Sequence, residues 1–325
     1  MSPTTPEREL LVSALTWEAE GVVGVTLADP DGADLPSWEP GAHLDVQLPA
    51  GAGPDGVLSR QYSLCGDPAE RGCYRLGVLR ELAGRGGSAY VHDALRPGQR
   101  VRIRGPRNHF RLEPSPAYVF VAGGIGITPI LPMIAAAQAA GARWTLLYGG
   151  RTAASMAFTG RLAGHGDRVS IRPQDVHGLL DLESLLATPR PDTLVYCCGP
   201  EPLISAVEKW CAGWPDGALH VERFAAPDQP VRDPADEHAV EVVLKNSGRS
   251  VMVGPDQPIL DALADAGIDV LSDCREGICG TCEVGVVEGD VDHRDFVLTD
   301  KEKAANQFMM VCVSRARSAR LVLEL

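Results

Sequence analysis

Four of the nine cysteines carry the most chemically specific spacing in this chain. Cys274, Cys279 and Cys282 form a C-x4-C-x2-C run, and Cys312 follows on a later element. One nine-residue loop thus offers three thiolates and a distant segment offers the fourth. That spacing suits two irons held close together, as in a [2Fe–2S] cluster. The loop must wrap tightly to aim three sulfurs inward. Gly277 and Gly280 permit this, because glycine reaches positive φ and lets backbones approach. Loop N–H groups can then point at the sulfurs and tune the potential. Zinc and disulfides are the competing readings. Structural zinc favours paired C-x2-C knuckles, and one such pair is present here. Disulfides belong to oxidising compartments. Residues 1–21 carry Glu7, Arg8, Glu9, Glu18 and Glu20 with no long apolar core, so they do not read as a secretory leader.

Two further stretches suit a flat, anionic cofactor. In Arg60-Gln61-Tyr62-Ser63-Leu64, strand alternation puts Arg60, Tyr62 and Leu64 on one face, a cation beside an aromatic ring. A tyrosine that merely packs on a half-buried strand reads the same way. Gly84-Arg85-Gly86-Gly87-Ser88 precedes a helical run, Ala89 to Leu95, with Ser88 as the expected N-cap. Free N–H groups in such a turn favour phosphate; a plain loop is the alternative.

Two more turns suit a nucleotide. Gly123-Gly124-Ile125-Gly126-Ile127-Thr128-Pro129 follows a buried strand, Tyr118 to Ala122. It leads into a helix expected over Ile130 to Ala140, with Thr128 as N-cap and Pro129 at N1. Pro129 takes the place of the third glycine of G-x-G-x-x-G, so the common dinucleotide fingerprint does not apply directly. Bare N–H groups at a helix start still suit a pyrophosphate. Cys197-Cys198-Gly199-Pro200 is a second turn after a strand. Arg151-Thr152 follows another strand, where an acidic residue often reads the ribose of NAD; none follows immediately, so NADPH stays open beside NADH.

Three patterns of elements must position these groups. From about 7 to 112, short strand-like runs (Gly21 to Ala28, His43 to Leu48, Arg60 to Cys65, Tyr74 to Arg80, Arg100 to Arg104) alternate with Gly/Pro turns such as Gly51, Gly53, Pro54 and Gly56, which predicts a small antiparallel barrel over 1–112. Residues 113–226 alternate strand and helix, which predicts a parallel, doubly wound sheet with ligands beyond the carboxyl ends of its strands. Residues 227–237 are rich in proline and charge and read as a linker. The remaining 238–325 hold a hairpin, a helix over Ile259 to Ala266, the cysteine loop, and a capping box of Thr299 and Glu302. Asp292-His293-Arg294-Asp295 reads as a solvated turn from its charge. The uncharged run 119–142 is long enough to span a bilayer, but Gly123, Gly124, Gly126, Pro129 and Pro132 break it as a single helix. A net charge of −13 argues against nucleic acid and suits docking to a basic protein surface. Cys65, Cys73, Cys197, Cys198 and Cys211 show no framework spacing, which fits a reducing compartment such as the cytoplasm.

Taken in order, R-x-Y-S, G-R-G-G-S, the C-G-P turn, the cysteine run and the segments Asp292 to Asp295 and Val311 to Ala316 resemble the phthalate dioxygenase reductase family, vanillate demethylase reductases included. The resemblance implies a multidomain chain: an antiparallel β-barrel for a flavin, an α/β parallel-sheet domain for a pyridine nucleotide, and a β-grasp ferredoxin domain of plant type. It implies FMN rather than FAD, held by Arg60, Tyr62, Ser63 and the turn residues Gly84, Gly86, Gly87 and Ser88, with Arg80 near the phosphate. It implies a nucleotide on Gly123, Gly124, Gly126, Thr128, Arg151, Gly199 and Pro200. Cys198 would stand beside the hydride-bearing carbon, and Phe224, closing the last strand, would cover the flavin ring. The implied activity is electron transfer from NADH through FMN to a [2Fe–2S] cluster on Cys274, Cys279, Cys282 and Cys312, and on to a Rieske-type oxygenase component, by a monomer with no membrane attachment. A cytochrome P450 is the runner-up acceptor. A nucleotide-responsive redox sensor and a zinc-stapled scaffold are the readings from other classes.

Overall fold

A computed structural model describes residues 7–49, 58–82, 84, 86–227 and 237–325. The turn residues Gly51, Gly53, Pro54, Gly56 and Arg85 and most of the 227–237 linker lie outside the described residues. The chain divides into two compact units, Met1–Phe224 and Ala225–Leu325.

The first unit opens with β1 (Glu7–Ala19), β2 (Val22–Ala28), β3 (His43–Leu48), β4 (Leu58–Ser63), β5 (Tyr74–Leu79) and β6 (Arg100–Arg107), with α1 (Gly87–Asp93) between the last two. The sheet order is β4-β3-β6-β1-β2-β5, and every pairing is antiparallel. A bridge between Leu64 and Leu76 closes the curl, as the sequence predicts for a barrel. Inward alternation buries Val12, Leu27, Leu44, Val46, Val78 and Ile103. The sequence reading gives no strand to 7–19, because charges interrupt the apolar pattern. In the structure those charges face outward along β1, where Glu7 pairs with Arg104 at 2.8 Å and Glu9 with Arg100 at 3.0 Å across to β6.

The same unit continues as β7 (Ala117–Gly123), α2 (Ile127–Ala139), β8 (Arg143–Gly150), α3 (Thr159–Leu162), β9 (Val169–Pro173), α4 (Gln174–His177), α5 (Leu182–Leu186), β10 (Thr193–Cys198), α6 (Glu201–Cys211) and β11 (Leu219–Glu222). The sheet order is β11-β10-β7-β8-β9, all parallel. Every residue of β7 is buried, as befits a central parallel strand covered on both faces. Phe120 and Ala122 join one apolar cluster, Val119 and Val121 another. The strand order reverses at β7, so the crevice between the carboxyl ends of β7 and β10 is the topological switch point, where such sheets bind ligands. The uncharged run 119–142 resolves into β7, a turn and α2. Among the described residues no helix is long and apolar enough to cross a membrane.

The second unit contains β12 (Val240–Leu244), β13 (Ser250–Val253), α7 (Ile259–Asp265), β14 (Glu283–Glu288), β15 (Val291–Asp292), α8 (Asp300–Ala305), β16 (Phe308–Met310), β17 (Arg315–Ala316) and β18 (Arg320–Leu323). Its main sheet runs β13-β12-β18-β14-β16, with β12 and β18 parallel at its heart. Ile259 and Leu263 of α7 pack into its core, giving the β-grasp arrangement. Thr299 and Glu302 form the expected capping box on α8. One expectation fails here: Asp292 to Asp295 is not a solvated turn. Asp295 is 2% exposed and the His293 ring is buried. The charges are satisfied internally, since the Asp295 carboxylate accepts from the N–H groups of Val297 and Leu298, and Arg294 pairs with Asp292 and Glu237.

The barrel depends on a buried ion pair. Asp45 on β3 is 2% exposed, pairs with Arg107 at the end of β6, and accepts from Gln61 Nε2 of β4 at 3.0 Å. Asp45→Ala would leave a largely buried guanidinium without this carboxylate. The expected cost is about 3 kcal/mol, read as a lower urea midpoint of the first unit at unchanged slope.

Candidate functional site

The switch point is shaped by three glycines. A Cβ on Gly126 would lie 2.2 Å from the Cys198 carbonyl oxygen, and one on Gly123 would lie 2.7 Å from Pro200 Cδ. One on Gly199 would lie 3.0 Å from Gly123 Cα. The two glycine turns therefore press backbone to backbone, which only glycine allows. The helix starts earlier than the sequence suggests. A tight turn over Gly124–Gly126 runs straight into α2, so Gly126 is the N-cap rather than Thr128, and Pro129 is the third helical residue rather than the first. The Thr128 hydroxyl donates back to the Ile125 carbonyl at 2.9 Å. Its methyl faces β5, where a Cβ on Gly77 would meet it at 2.8 Å. Thr128 thus packs the parallel sheet onto the barrel.

Three strand ends meet beside these turns. Ser63 ends β4, Cys198 ends β10 and Glu222 ends β11, with Cys198 and Glu222 in register. Ser63 Oγ donates to Glu222 Oε2 at 3.4 Å, and Cys198 Sγ approaches the same oxygen at 4.0 Å. Burial raises the Glu222 carboxyl to about 8, with the Ser63 hydrogen bond opposing. Burial, and then the Glu222 charge, push the Cys198 thiol well up, so it is a neutral neighbour and not a nucleophile. The sequence reading missed Glu222. The one signal was an acid closing a short strand, Leu219 to Glu222. Phe224 does not close that strand; it stands two residues beyond, 43% exposed.

The flavin-type residues also converge. A Cβ on Gly87 would lie 2.7 Å from Arg60 Cγ, so the R-x-Y-S strand and the glycine turn touch. Burial pushes the Tyr62 phenol up to about 12, with Arg60 opposing, and keeps it neutral. Ser88 is not the N-cap. The helix begins at Gly87 behind Gly86, whose φ of 92° suits glycine, and Ser88 Oγ accepts from Glu81 N at 3.0 Å. Gly84 N reaches back to the Glu81 carbonyl at 3.3 Å. Arg80 pairs with Asp93, the last residue of α1. Arg151 is exposed just past β8, and its carbonyl accepts from Asp175 N at 3.1 Å. Thr152 caps the turn over Ala153–Ser155, its hydroxyl accepting from Ser155 N at 3.2 Å.

In the second unit the four thiols form a connected chain. The thiols of Cys279 and Cys312 act on that of Cys274, and the thiol of Cys282 on that of Cys312, so their proton affinities are coupled. The N–H of Glu276 points at the Cys274 sulfur at 3.3 Å, and Cys279 Sγ donates to Thr281 Oγ1 at 3.2 Å. Among the described residues no His, Cys, Asp or Glu set has the geometry to hold a single metal ion. Four neighbouring thiols with the Glu276 amide aimed at sulfur suit a sulfur-bridged cluster of two irons.

Residues 242–317 match the model of the 2Fe-2S iron-sulfur cluster binding domain. The phenoxybenzoate dioxygenase subunit beta of Ectopseudomonas oleovorans is 42% identical over 97% of both chains. The crystal structure of phthalate dioxygenase reductase, described as modular for electron transfer from pyridine nucleotides to [2Fe-2S], is 38% identical over 98% of both chains, with a TM-score of 0.68. An intact type IV self-sufficient cytochrome P450 monooxygenase is 48% identical over 98% of this chain, with a TM-score of 0.91, and this chain spans 41% of it.

Glu222 gives the site a signature in stability. Its carboxyl holds a proton up to about 8 in the folded chain, against 4.5 ordinarily, so folding takes up a proton between those values. The contribution is complete below the lower value and is lost as pH rises through the upper one. In calorimetry, Glu222→Gln should melt close to wild type at low pH and increasingly above it as pH approaches 8, in the transition of the first unit. Parallel curves would contradict the assignment.

Proposed function

Because the chain belongs to the phthalate dioxygenase reductase family of oxygenase reductase subunits, we propose that it passes electrons from NADH through FMN and a [2Fe–2S] cluster to the oxygenase component of a Rieske-type system. The observation that carries this reading is the meeting of barrel and parallel sheet at Ser63, Cys198 and Glu222. A hydride donor held by one domain and an acceptor held by the other would react there. In this reading 1–112 is the FMN domain, 113–226 the nucleotide domain, 227–237 a linker and 238–325 the ferredoxin domain.

FMN supplies the exchange between hydride and single-electron chemistry, and the cluster carries single electrons. The chain's own residues hold and orient. Arg60 and the Gly86–Ser88 turn would take the FMN phosphate, with Gly84 and Arg80 fixing that turn and α1, and Tyr62 and Ser63 lining the ring side. The amides of Gly123, Gly124 and Gly126 would take the nucleotide pyrophosphate, with Thr128 fixing α2 behind them and Arg151 at the ribose end. Gly199 and Pro200 keep the backbone low beside Cys198, whose neutral thiol would flank the nicotinamide. Glu222 would hold a proton next to the reacting ring. Phe224, exposed, would cover the ring until nicotinamide enters. Cys274, Cys279, Cys282 and Cys312 would ligate the irons.

The net charge of −13 favours a basic docking face on the partner. Serving single electrons to successive partners needs one copy of the chain, so we take it as a monomer; its free cysteines fit a reducing compartment, and we place it in the cytoplasm. A cytochrome P450 is the runner-up acceptor, favoured by the 48% identity to part of a self-sufficient P450 chain.

The test is an anaerobic NADH titration followed by absorbance and EPR. Flavin and iron–sulfur bands should bleach together, with uptake near about three electrons per chain and a reduced-cluster signal. Cys312→Ser should lose that signal while flavin reduction persists. Repeating with NADPH assigns the nucleotide. A loaded protein that stays oxidised with both nucleotides would sink the reductase reading.

A further inference from the structure

The Asp292 to Asp295 segment has buried machinery that electron delivery as described above does not use. Asp295 is 2% exposed and its carboxylate reaches in several directions. Oδ2 accepts from Val297 N at 3.2 Å and Leu298 N at 2.8 Å, and Oδ1 accepts from Ser314 Oγ at 3.4 Å. Ser314 is fully buried, two residues past Cys312, and its N–H bonds the Met310 carbonyl at 2.9 Å around that ligand. Its hydroxyl also accepts from Arg294 N at 3.1 Å.

The neighbouring backbone holds the other ligand segment. Phe296 N donates to the Gly277 carbonyl at 2.9 Å. Gly277 has a φ of +73°, and a Cβ there would lie 2.6 Å from Val313 Cγ2 and 3.2 Å from Asp295 Cα. The cysteine loop and the Cys312 turn are thus both fastened at one residue. Lys303 ties the same residue to α8 through the Asp295 carbonyl at 2.7 Å. Among the described residues, the only basic side chain within ion-pair distance of the carboxylate is His293, at 3.7 Å.

We infer that Asp295 is a positioning residue of the iron–sulfur site: it braces both segments that carry the thiols, and its buried negative charge holds the cluster's reduction potential down. The inference rests on the reductase reading above. A carboxylate in a poorly solvated setting opposes the arrival of an electron nearby. Glu237 supplies the comparison. It pairs with Arg294 at 2.7 Å and lies 3.6 Å from Arg315, in the adjacent ionic group, so among the described residues its carboxylate serves those arginines rather than Gly277 or Ser314.

The experiment uses the full chain with its cluster. Midpoint potential is read by EPR-monitored redox titration, and iron release to a chelator is timed, for wild type, Asp295→Asn, Ser314→Ala and Glu237→Gln. Asp295→Asn should raise the potential, changing the reduced-to-oxidised ratio at fixed poise about tenfold, which is about 59 mV for one electron. Ser314→Ala keeps the charge and loses the brace, so it should release iron several-fold faster at near wild-type potential. Glu237→Gln should melt earlier and change neither readout. A wild-type potential in Asp295→Asn, or an equal shift in Glu237→Gln, overturns the inference. If Asp295→Asn fails to load, unchanged iron release from Ser314→Ala overturns it instead. A wild-type chain that binds no cluster would refute the reductase reading itself, and this inference with it.

Discussion

The absence of side chains at Gly126, Gly123 and Gly199 is the constraint from which the first unit's site follows. Hydrogen bonding sets the spacing of β7 and β10, but how closely the turns beyond them approach depends on what the residues carry. With a Cβ at Gly126 due 2.2 Å from the Cys198 carbonyl oxygen, any larger residue would force the turns apart. The switch-point crevice, the position of Cys198 and the early start of α2 all rest on that approach. So does the seat of Thr128 against β5, and through it the alignment of the parallel sheet on the barrel. A glycine pattern that departs from the usual dinucleotide fingerprint thus does the same physical task by another route: it brings bare backbone to the place where a ligand's charge belongs.

The two units handle buried charge in contrasting ways. At Ser63, Cys198 and Glu222 the acid has hydrogen-bond contact but, among the described residues, no ion-pair partner, and burial favours its protonated form. In the second unit the Asp295 carboxylate is engaged by backbone amides and a hydroxyl, and Asp292 and Glu237 by Arg294. The first arrangement suits a proton that comes and goes. The second suits a fixed frame, as a site that only relays electrons requires, because little nuclear rearrangement should accompany the change of charge.

Much of this was readable in the sequence, and the misses share a cause. The cysteine run, the capping box at Thr299 and Glu302, and the buried strand of β7 are local patterns, and local patterns survive folding. β1 was missed because three consecutive exposed charges, Glu7 to Glu9, open it and hide the period. Thr128 and Ser88 look like N-caps in sequence, yet preceding glycines let each helix begin a residue or more earlier. Glu222 becomes part of a site only when β4, β10 and β11 end together, which no stretch of sequence displays. Asp292 to Asp295 was misjudged because its composition says solvent, while amides and arginines brought in by the fold satisfy the charges inside.

The parallel pairing of β12 with β18 has a consequence for how the second unit is made. Its two central strands, Val240–Leu244 and Arg320–Leu323, lie at opposite ends of that unit's sequence. All four thiols fall between them. On a ribosome the sulfurs emerge before the strand that completes the sheet, so the thiols are exposed in an unfinished fold for as long as synthesis takes to reach Leu323. Long-range pairing of this kind is slow to form. Metal insertion in the cell must therefore either wait for that late strand or capture the loop while the sheet is still open.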